Sequence, residues 1–459
     1  MAGLAEPSGA RLRPLAFEVA KRRRALHILH LHFIFLPNMA DEITGNLLVA
    51  QSGGLTSAMN ASLAGVVTEA LNHGCVEEIY GGLHGIQGLL QEELIDLAEE
   101  SQQNIRGLRF TPGAALGTTR YKLTREQDYE RLLSMCEAHN IRFFNFIGDL
   151  EAMQVAARLH DLALAKGYAL RVLGIPKAID NTLGMTDHCP GYGSLAKYIA
   201  TLVKELTIEH ESSSHHDFVS ILEVGGRNTG WVAASSTLSR RKNQLDDPPH
   251  LVVLPEVPLN PEKFIEAVQA TLKRQRYCLI VVAEGIVDAN GNYVGSGNQA
   301  KDAFGQQTFG HAGEYLRLLV EQQLGVRVRA AKLGLGQRVA AHCASQTDCD
   351  EAYLCGQAAV RAAVAGESGK MVTLVRSDAD HYTSETGLVA LADVIAGPKP
   401  FPPTWINDDG LSLNFQYAKY ALPLIQGEVK VPYENGVPKF VSLSRSPVGR
   451  KLESYVLEG

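Results

Sequence analysis

Leu170-Arg-Val-Leu-Gly-Ile-Pro-Lys-Ala-Ile-Asp-Asn181 is the stretch on which the reading turns. Its first half, Leu170–Ile175, is a short apolar run of the kind that forms a buried strand, and Pro176 directs the chain into a turn. That turn presents a cation, Lys177, three residues ahead of a carboxylate, Asp180. Ligands of parallel sheets collect beyond the carboxyl ends of the strands, so chemistry is expected in such a turn. A carboxylate beside a hydroxyl acts as general base, and an ammonium offsets charge on a transferring phosphoryl group. A lone turn lysine or aspartate is more often simply solvated, and the neighbours of this pair give it weight.

Outward from this stretch, apolar strand candidates recur at Asn46–Ala50, Phe143–Ile147, Val219–Val224, Leu251–Leu254 and Cys278–Ala283. Helical patterns at about Asn60–Asn72, Ala152–Lys166, Leu195–Glu211, Pro261–Arg274 and Ala312–Leu324 separate most of them. Buried strands alternating with helices predict an α/β protein, doubly wound, with parallel-rich sheets. The first strand runs into Ser52-Gly53-Gly54, where backbone amides at a helix start can approach an anion. No solenoid repeat or low-complexity tract is present, and Pro-rich Gly397–Pro403 separates the α/β body from a tail.

The 459 residues allow two or three domains, and 45% hydrophobic with 20% charged residues is an ordinary globular mixture. A formal net charge of -7 advertises no nucleic-acid surface, although a local Arg/Lys cluster can still hold phosphate. Seven cysteines form no CxxC pair and read as free thiols in a reducing, cytoplasmic compartment. Fifteen histidines show no HExxH spacing, so none is assigned a metal. Lys21-Arg-Arg-Arg24 precedes a short apolar run, Ala25–Leu36, too short to span a bilayer and without a small-residue cleavage site. Residues 1–43 are therefore expected to be an extension outside the fold, with Met39 an alternative start.

The segment Gly174-Ile-Pro-Lys-Ala-Ile-Asp-Asn181 resembles the GIPKTIDND signature of the pyrophosphate-dependent branch of the phosphofructokinase superfamily. Other segments follow in that family's order. Thr111-Pro-Gly-Ala-Ala-Leu-Gly-Thr-Thr-Arg-Tyr121 is similar to TPGSxLGTSR, and Glu223-Val-Gly-Gly-Arg-Asn-Thr-Gly-Trp231 to EVMGRNTGW, with Gly225 replacing methionine. Pro255–Pro258 matches PEVP, Ala283–Ile286 matches SEGI, and Leu333–Arg338 corresponds to LGYLQR. Trp405-Ile-Asn407 and Pro423–Glu428 repeat C-terminal phrases of the same branch, so the resemblance runs from about Asn46 to Glu428.

The resemblance implies two similar α/β domains with the site in the cleft between them. Residues 44–190 with about 338–390 would hold the phosphoryl donor, 191–337 the sugar phosphate, and 391–459 would be a tail packing on the body. It also implies Mg2+-dependent transfer of phosphoryl from pyrophosphate to fructose 6-phosphate, reversibly, in a cytoplasmic homodimer or homotetramer, with no membrane or nucleic-acid partner. Asp180 would be the base, Lys177 would offset charge, and Glu151 would stand for the acidic residue that excludes ATP. Ala178, Ile179, Asp180, Gly225, Gly226, Arg227, Glu284, Arg329, Leu335, Gln337 and Arg338 would contact fructose 6-phosphate. Gly54, Arg120 and Gly148 would meet the donor.

The pattern breaks at the phosphate loop. Where the family has GGDGS or GGNDS, this chain reads Gly148-Asp149-Leu150-Glu151-Ala152, and the second aspartate of IDND is Thr182. Leucine cannot ligate a hard cation, and an anionic Asp149 is expected to repel a phosphate donor. Asp149 is the substitute metal carboxylate if the register shifts locally, since the usual position is Leu150. Phe218 stands where many ATP-dependent relatives carry arginine, and Leu335 replaces a tyrosine or histidine. Two readings follow: an active phosphotransferase, or a catalytically impaired, regulatory sugar-phosphate-binding subunit of the same family.

Overall fold

The computed structural model describes residues 43–212, 218–242, 244, 246–295, 311–377 and 381–457, and the expected extension 1–43 lies outside them save for its last residue. The first strand, β1 (Gly45–Gln51), is buried along its whole length, as a strand covered on both faces must be. It pairs in parallel with β2 (Val76–Gly82), whose far edge carries the short antiparallel β3 (Leu94–Asp96). On its other side lie β4 (Ile141–Gly148) and then β5 (Arg171–Pro176), both parallel. A second sheet of four parallel strands follows: β6 (Phe218–Val224), β7 (Leu251–Val253), β8 (Tyr277–Ala283) and β9 (Arg327–Lys332), in the order β7-β8-β6-β9. The chain then returns to the first sheet with β10 (Lys370–Arg376), parallel to β5, and β11 (Ser384–Ala390), antiparallel at the edge.

Strand alternation builds the layers. In β1, Leu47 and Val49 join one core with Phe143, Leu173 and Ile175, while Leu48 and Ala50 join the core on the opposite face with Phe144, Phe146 and Val172. A third core around Trp231, Phe264 and Ile280 belongs to the second sheet. The helices used below are α1 (Met59–Ala70), α2 (Glu126–Ala138), α3 (Leu150–Ala165), α4 (Tyr192–Ser212), α5 (Pro261–Arg274), α6 (Ala312–Leu324) and α7 (Gln346–Val364). The late helix α7 packs on the early helix α1 at glycine distance. A Cβ on Gly65 would stand 2.2 Å from the Tyr353 carbonyl, and one on Gly356 would stand 2.1 Å from that of Ser62.

The strands read as apolar runs appear within a residue or two of their expected bounds, and α5 and α6 match their patterns in full. α3 and α4 begin earlier than expected, at Leu150 and Tyr192. The strands β2, β9, β10 and β11, and the helices α2 and α7, were not singled out by apolar periodicity. Solvent-facing charge hides two of them: β2 carries exposed Glu77 and Glu78, and β9 exposes Arg327, Arg329 and Lys332. Among the described residues no helix is long and apolar enough to cross a membrane. All seven cysteines are free thiols.

Candidate active site

Three strand ends supply the first group of side chains. After β1 the chain turns through Gly53, which adopts φ +76°, a backbone region that favours glycine. A Cβ there would also lie 1.9 Å from Asp149 Oδ2 and 2.8 Å from Lys177 Nζ, so this glycine, not Gly54, makes room for the charged cluster. Gly54 supplies its carbonyl, which accepts from Lys177 Nζ at 2.9 Å. Gly148, at the end of β4, would drive a Cβ to 2.2 Å from that of Ala152. Beyond β5, Asn181 takes φ +56°, a conformation that asparagine tolerates better than most residues. Its side chain fastens the turn by donating to the Tyr420 hydroxyl and accepting from the Cys189 amide, each at 2.9 Å.

Lys177 is buried, 1% exposed, with Nζ 3.7 Å from Asp149 Oδ2. Burial holds its ammonium below the ordinary lysine range, although Asp149 and Asp180 both pull the other way. Asp180 is pushed up, first by burial, with the Thr182 hydroxyl opposing and the Asp149 charge adding to the shift. Thr182 Oγ1 donates to Asp180 Oδ1 at 2.8 Å. One buried cation thus serves two carboxylates. The sequence-level expectation that Asp149 simply repels a donor is modified here, because its charge is partly answered by Lys177.

The turn lies where the two halves of the molecule meet. Ala178 is buried in a core of the first sheet, while its neighbour Ile179 packs against the core of the second. The following loop is fixed by ion pairs. His188, 1% exposed, lies between Asp187 at 2.9 Å and Glu351 of α7 at 2.6 Å, and Arg376 of β10 closes on Asp187 at 2.9 Å. Burial disfavours the imidazolium, but Glu351 and Asp187 outweigh it and push its pKa up to about 9.

A second group gathers at the ends of β6, β8 and β9. The Glu284 amide donates to Val224 O at 3.0 Å and the Gly285 amide to Gly226 O at 3.2 Å, which draws Glu284 beside the Gly225–Arg227 turn. The Gly225 amide donates to Gln337 Oε1 at 3.3 Å. Sequence reasoning missed Lys332, whose Nζ stands 2.7 Å from buried Glu223 and 3.8 Å from Glu284. Glu223 also accepts from the Gly313 amide at the start of α6, at 2.9 Å. The signal was available only through strand register, which sets Lys332 opposite Glu223. Arg338 is half-buried in the short helical turn Gly336–Arg338, and Leu335 before it is 73% exposed.

Other expected residues lie apart. Arg329 sits on the exposed face of β9, stacked on Phe218 with its guanidinium 4.9 Å from the ring centre. It registers with Ser220, which places it roughly 16 Å of strand short of Gly225. Glu151 is exposed on the first turn of α3 and pairs with Lys122 at 2.9 Å. Arg120 is exposed on the loop from Thr111, which is stitched to the first strand and to α1: the Leu116 amide donates to Gln51 Oε1 at 3.0 Å and the Ala115 amide to Asn60 Oδ1 at 2.8 Å.

A model of the family described as phosphofructokinase matches residues 46–363. The chain belongs to that family. It is 38% identical over 419 residues to the pyrophosphate--fructose 6-phosphate 1-phosphotransferase of Halomonas elongata, covering 90% of this chain and 99% of that protein. The enzyme of the same name from Xanthomonas campestris is also 38% identical, over 417 residues, with 90% and 99% covered. The crystal structure of a pyrophosphate-dependent phosphofructokinase from Marinobacter aquaeolei superposes with a TM-score of 0.82 at 36% identity, covering 90% of this chain and all of that one. The expected α/β architecture with parallel-rich sheets is thus that of the family.

Among the described residues no group of three or more His, Cys, Asp and Glu is arranged to cage a metal. Magnesium needs less than a cage, since it keeps several waters and binds through one or two carboxylates plus substrate phosphates. Asp149 Oδ1 is a buried oxygen with no hydrogen-bond partner, and it meets that requirement. Leu150 and Thr182 do not: the first is apolar, and the hydroxyl of the second is committed to Asp180.

Proposed function

We propose that this phosphofructokinase-family protein transfers a phosphoryl group from pyrophosphate to the 1-hydroxyl of fructose 6-phosphate, giving fructose 1,6-bisphosphate and phosphate. The observation that carries the reading is the buried Lys177 beside Asp149 and Asp180, at strand ends where the two sheets' cores meet. Asp180 accepts the hydroxyl proton as the oxygen attacks phosphorus, and its raised pKa brings it nearer the basicity a general base needs. Lys177 and Arg120 balance the charge that moves onto the leaving phosphate. The first sheet serves the donor. On the second, Gly225, Gly226, Arg227, Glu284, Gln337 and Arg338 hold the sugar phosphate, with arginine suited to phosphate through its planar fork. Asp149 would hold Mg2+ together with pyrophosphate oxygens and water, and the ion would supply neutralisation of the donor's charge.

Arg329 faces solvent on an edge strand, a position that suits presentation to another copy, and we propose a homodimer or homotetramer. Free thiols throughout support a cytoplasmic setting.

A coupled assay with pyrophosphate, fructose 6-phosphate and Mg2+ on the purified, folded protein tests the activity, and ATP is expected not to replace pyrophosphate. The second reading, a sugar-phosphate-binding subunit without turnover, draws on the apolar Leu150 and the missing carboxylate at Thr182. Calorimetry separates the two. Fructose 6-phosphate binding with no pyrophosphate binding favours the second, and Mg2+-linked pyrophosphate binding removes it.

A further inference from the structure

The Thr111–Leu123 loop carries Arg120, and the chain's last segment grips both ends of it. At the near end, the Val441 amide donates to Thr111 Oγ1 at 3.1 Å. At the far end, the Tyr121 hydroxyl donates to Asp128 Oδ2 at 3.1 Å, and the Tyr455 hydroxyl donates to Asp128 Oδ1 at 2.7 Å. Asp128, fully buried in the first turn of α2, is neutralised by Arg125 at 2.7 Å. A loop tyrosine and a tail tyrosine therefore lean on the two oxygens of one carboxylate.

Between these points the tail is held by other acidic side chains. Glu100 accepts from the amide and the hydroxyl of Ser444. Glu92, 2% exposed, accepts from the amides of Lys451 and Leu452 at 2.8 and 3.2 Å and is paired with Arg131 and His139. Arg131 donates to Glu453 O at 2.9 Å and lies over the Tyr455 ring. The Asp96 amide donates to Ser446 O and the Val448 amide to Leu94 O, each at 2.9 Å, so the tail also runs along β3. Buried carboxylates are costly without donors, and the tail backbone supplies those donors. The tail is seated by Glu92 and Glu100, and its end is then delivered to Asp128.

We propose that residues 441–457 form a strap that sets the conformation of the Thr111–Leu123 loop, with Tyr455 as a positioning residue for the phosphoryl donor acting through Asp128 and Tyr121. The proposal rests on the reading of Arg120 as a donor contact. Tyr455 touches no substrate in it. Its hydroxyl, with Arg125 on both carboxylate oxygens, holds Asp128 in the rotamer that receives Tyr121, which fixes the stem of the loop one residue from Arg120.

The test is Tyr455→Phe, which keeps the ring over Arg131 and deletes one hydroxyl, with Tyr121→Phe as the partner variant. Amide hydrogen exchange is measured across the full-length protein, with steady-state kinetics and calorimetric titration of pyrophosphate. Loss of a hydrogen bond to a charged group predicts roughly tenfold to a hundredfold faster exchange within 111–123. Exchange at 174–181 and 225–231 stays unchanged. The KM or Kd for pyrophosphate rises by a similar factor and kcat falls as Arg120 is displaced, while the KM for fructose 6-phosphate stays within about twofold, and the double variant is no worse than either single one. Unchanged exchange in the loop overturns the strap. A loosened loop with unaltered pyrophosphate affinity overturns the donor-positioning role. Absence of turnover in the wild type as well strikes the phosphotransferase reading alone, and calorimetric pyrophosphate affinity then decides the present one.

Discussion

Lys177→Met separates what the central cation does for stability from what it does for the reaction. At 3.7 Å and an effective dielectric of 20, its attraction to Asp149 is about 4.5 kcal/mol in isolation. The native protein does not keep that sum. Burial holds the lysine's pKa below its ordinary value despite two neighbouring carboxylates, so desolvation outweighs the attraction. Asp149, with its side chain 29% exposed, also retains access to water as a substitute partner. The net loss of folding stability is therefore expected to be about 1–3 kcal/mol, the cost of leaving buried groups without their partner, chiefly Asp149 and Asp180 facing each other. Removing a preorganised charge from the reacting phosphate costs more, about 100- to 1000-fold in kcat or roughly 3–4 kcal/mol. Urea denaturation reads the first quantity and the pyrophosphate-coupled assay the second. In Lys177→Met/Asp149→Asn the like-charge pair is gone, so stability returns to within about 0.5 kcal/mol of wild type while kcat stays low. A Lys177→Met enzyme that retains kcat within a factor of ten, or a double variant no more stable than the single one, would refute the reasoning.

Asp180→Asn is expected to lower kcat by about 100- to 10,000-fold in the same assay, the usual range for a lost general base. Because the Asp180 pKa is raised on folding, the native state holds its proton more tightly, and stability falls as pH rises from the ordinary 3.8 through the folded value. Asp180→Asn removes that fall, which urea midpoints across the acid range would show. Thr182→Val deletes a hydroxyl that lowers the Asp180 pKa, so the acid limb of the kcat/KM profile moves to higher pH; a shift downward contradicts the assignment. Arg338→Ala should raise the KM for fructose 6-phosphate about 10- to 100-fold with the pyrophosphate KM nearly unchanged, as for a charge-assisted contact to one substrate. His188, raised to about 9, contributes stability that is complete below its ordinary 6.5 and is lost as pH climbs through 9. The urea midpoint of the wild type should fall between pH 7 and 10, and that of His188→Gln should not.

Strands buried along their whole length were legible in the sequence because burial on both faces leaves an unbroken apolar run, as in Asn46–Ala50 and Cys278–Ala283. The edge strand β9 was not, because its open side carries charge and Arg327-Val-Arg-Ala-Ala-Lys332 therefore reads as a surface segment, whereas the edge strand β7 is buried and keeps its apolar run. The same division holds at the site. Lys177, Asp180 and Glu284 follow apolar runs directly, so their place at strand ends could be read along the chain. Lys332 becomes a partner of Glu223 and Glu284 only once β9 is laid beside β6 in register. The anchors of the tail, Glu92, Glu100 and Asp128, look like any surface carboxylates in sequence. Their burial is created by residues more than 300 positions away, at Ser444, Lys451 and Tyr455.

The altered phosphate loop carries the same lesson about context. Residue by residue, Asp149 adds a charge where the resemblance implies glycine, and Thr182 removes one where it implies aspartate. In space both changes fall around a single group. Asp149 lies 3.7 Å from Lys177, and Thr182 donates to Asp180, the other carboxylate acting on that lysine. Two carboxylates thus act on the cation, Asp149 from the end of β4 and Asp180 from the turn after β5. Thr182 supplies a donor to the ionised form of Asp180, and the Asp149 charge opposes that form. The Gly53 turn, with no room for a side chain, is what admits the Asp149 carboxylate. A buried cation held between two carboxylates, one of them with a free oxygen, is more than a mere sugar-phosphate binder needs on the side assigned above to the donor, and this weighs for a site that still handles pyrophosphate.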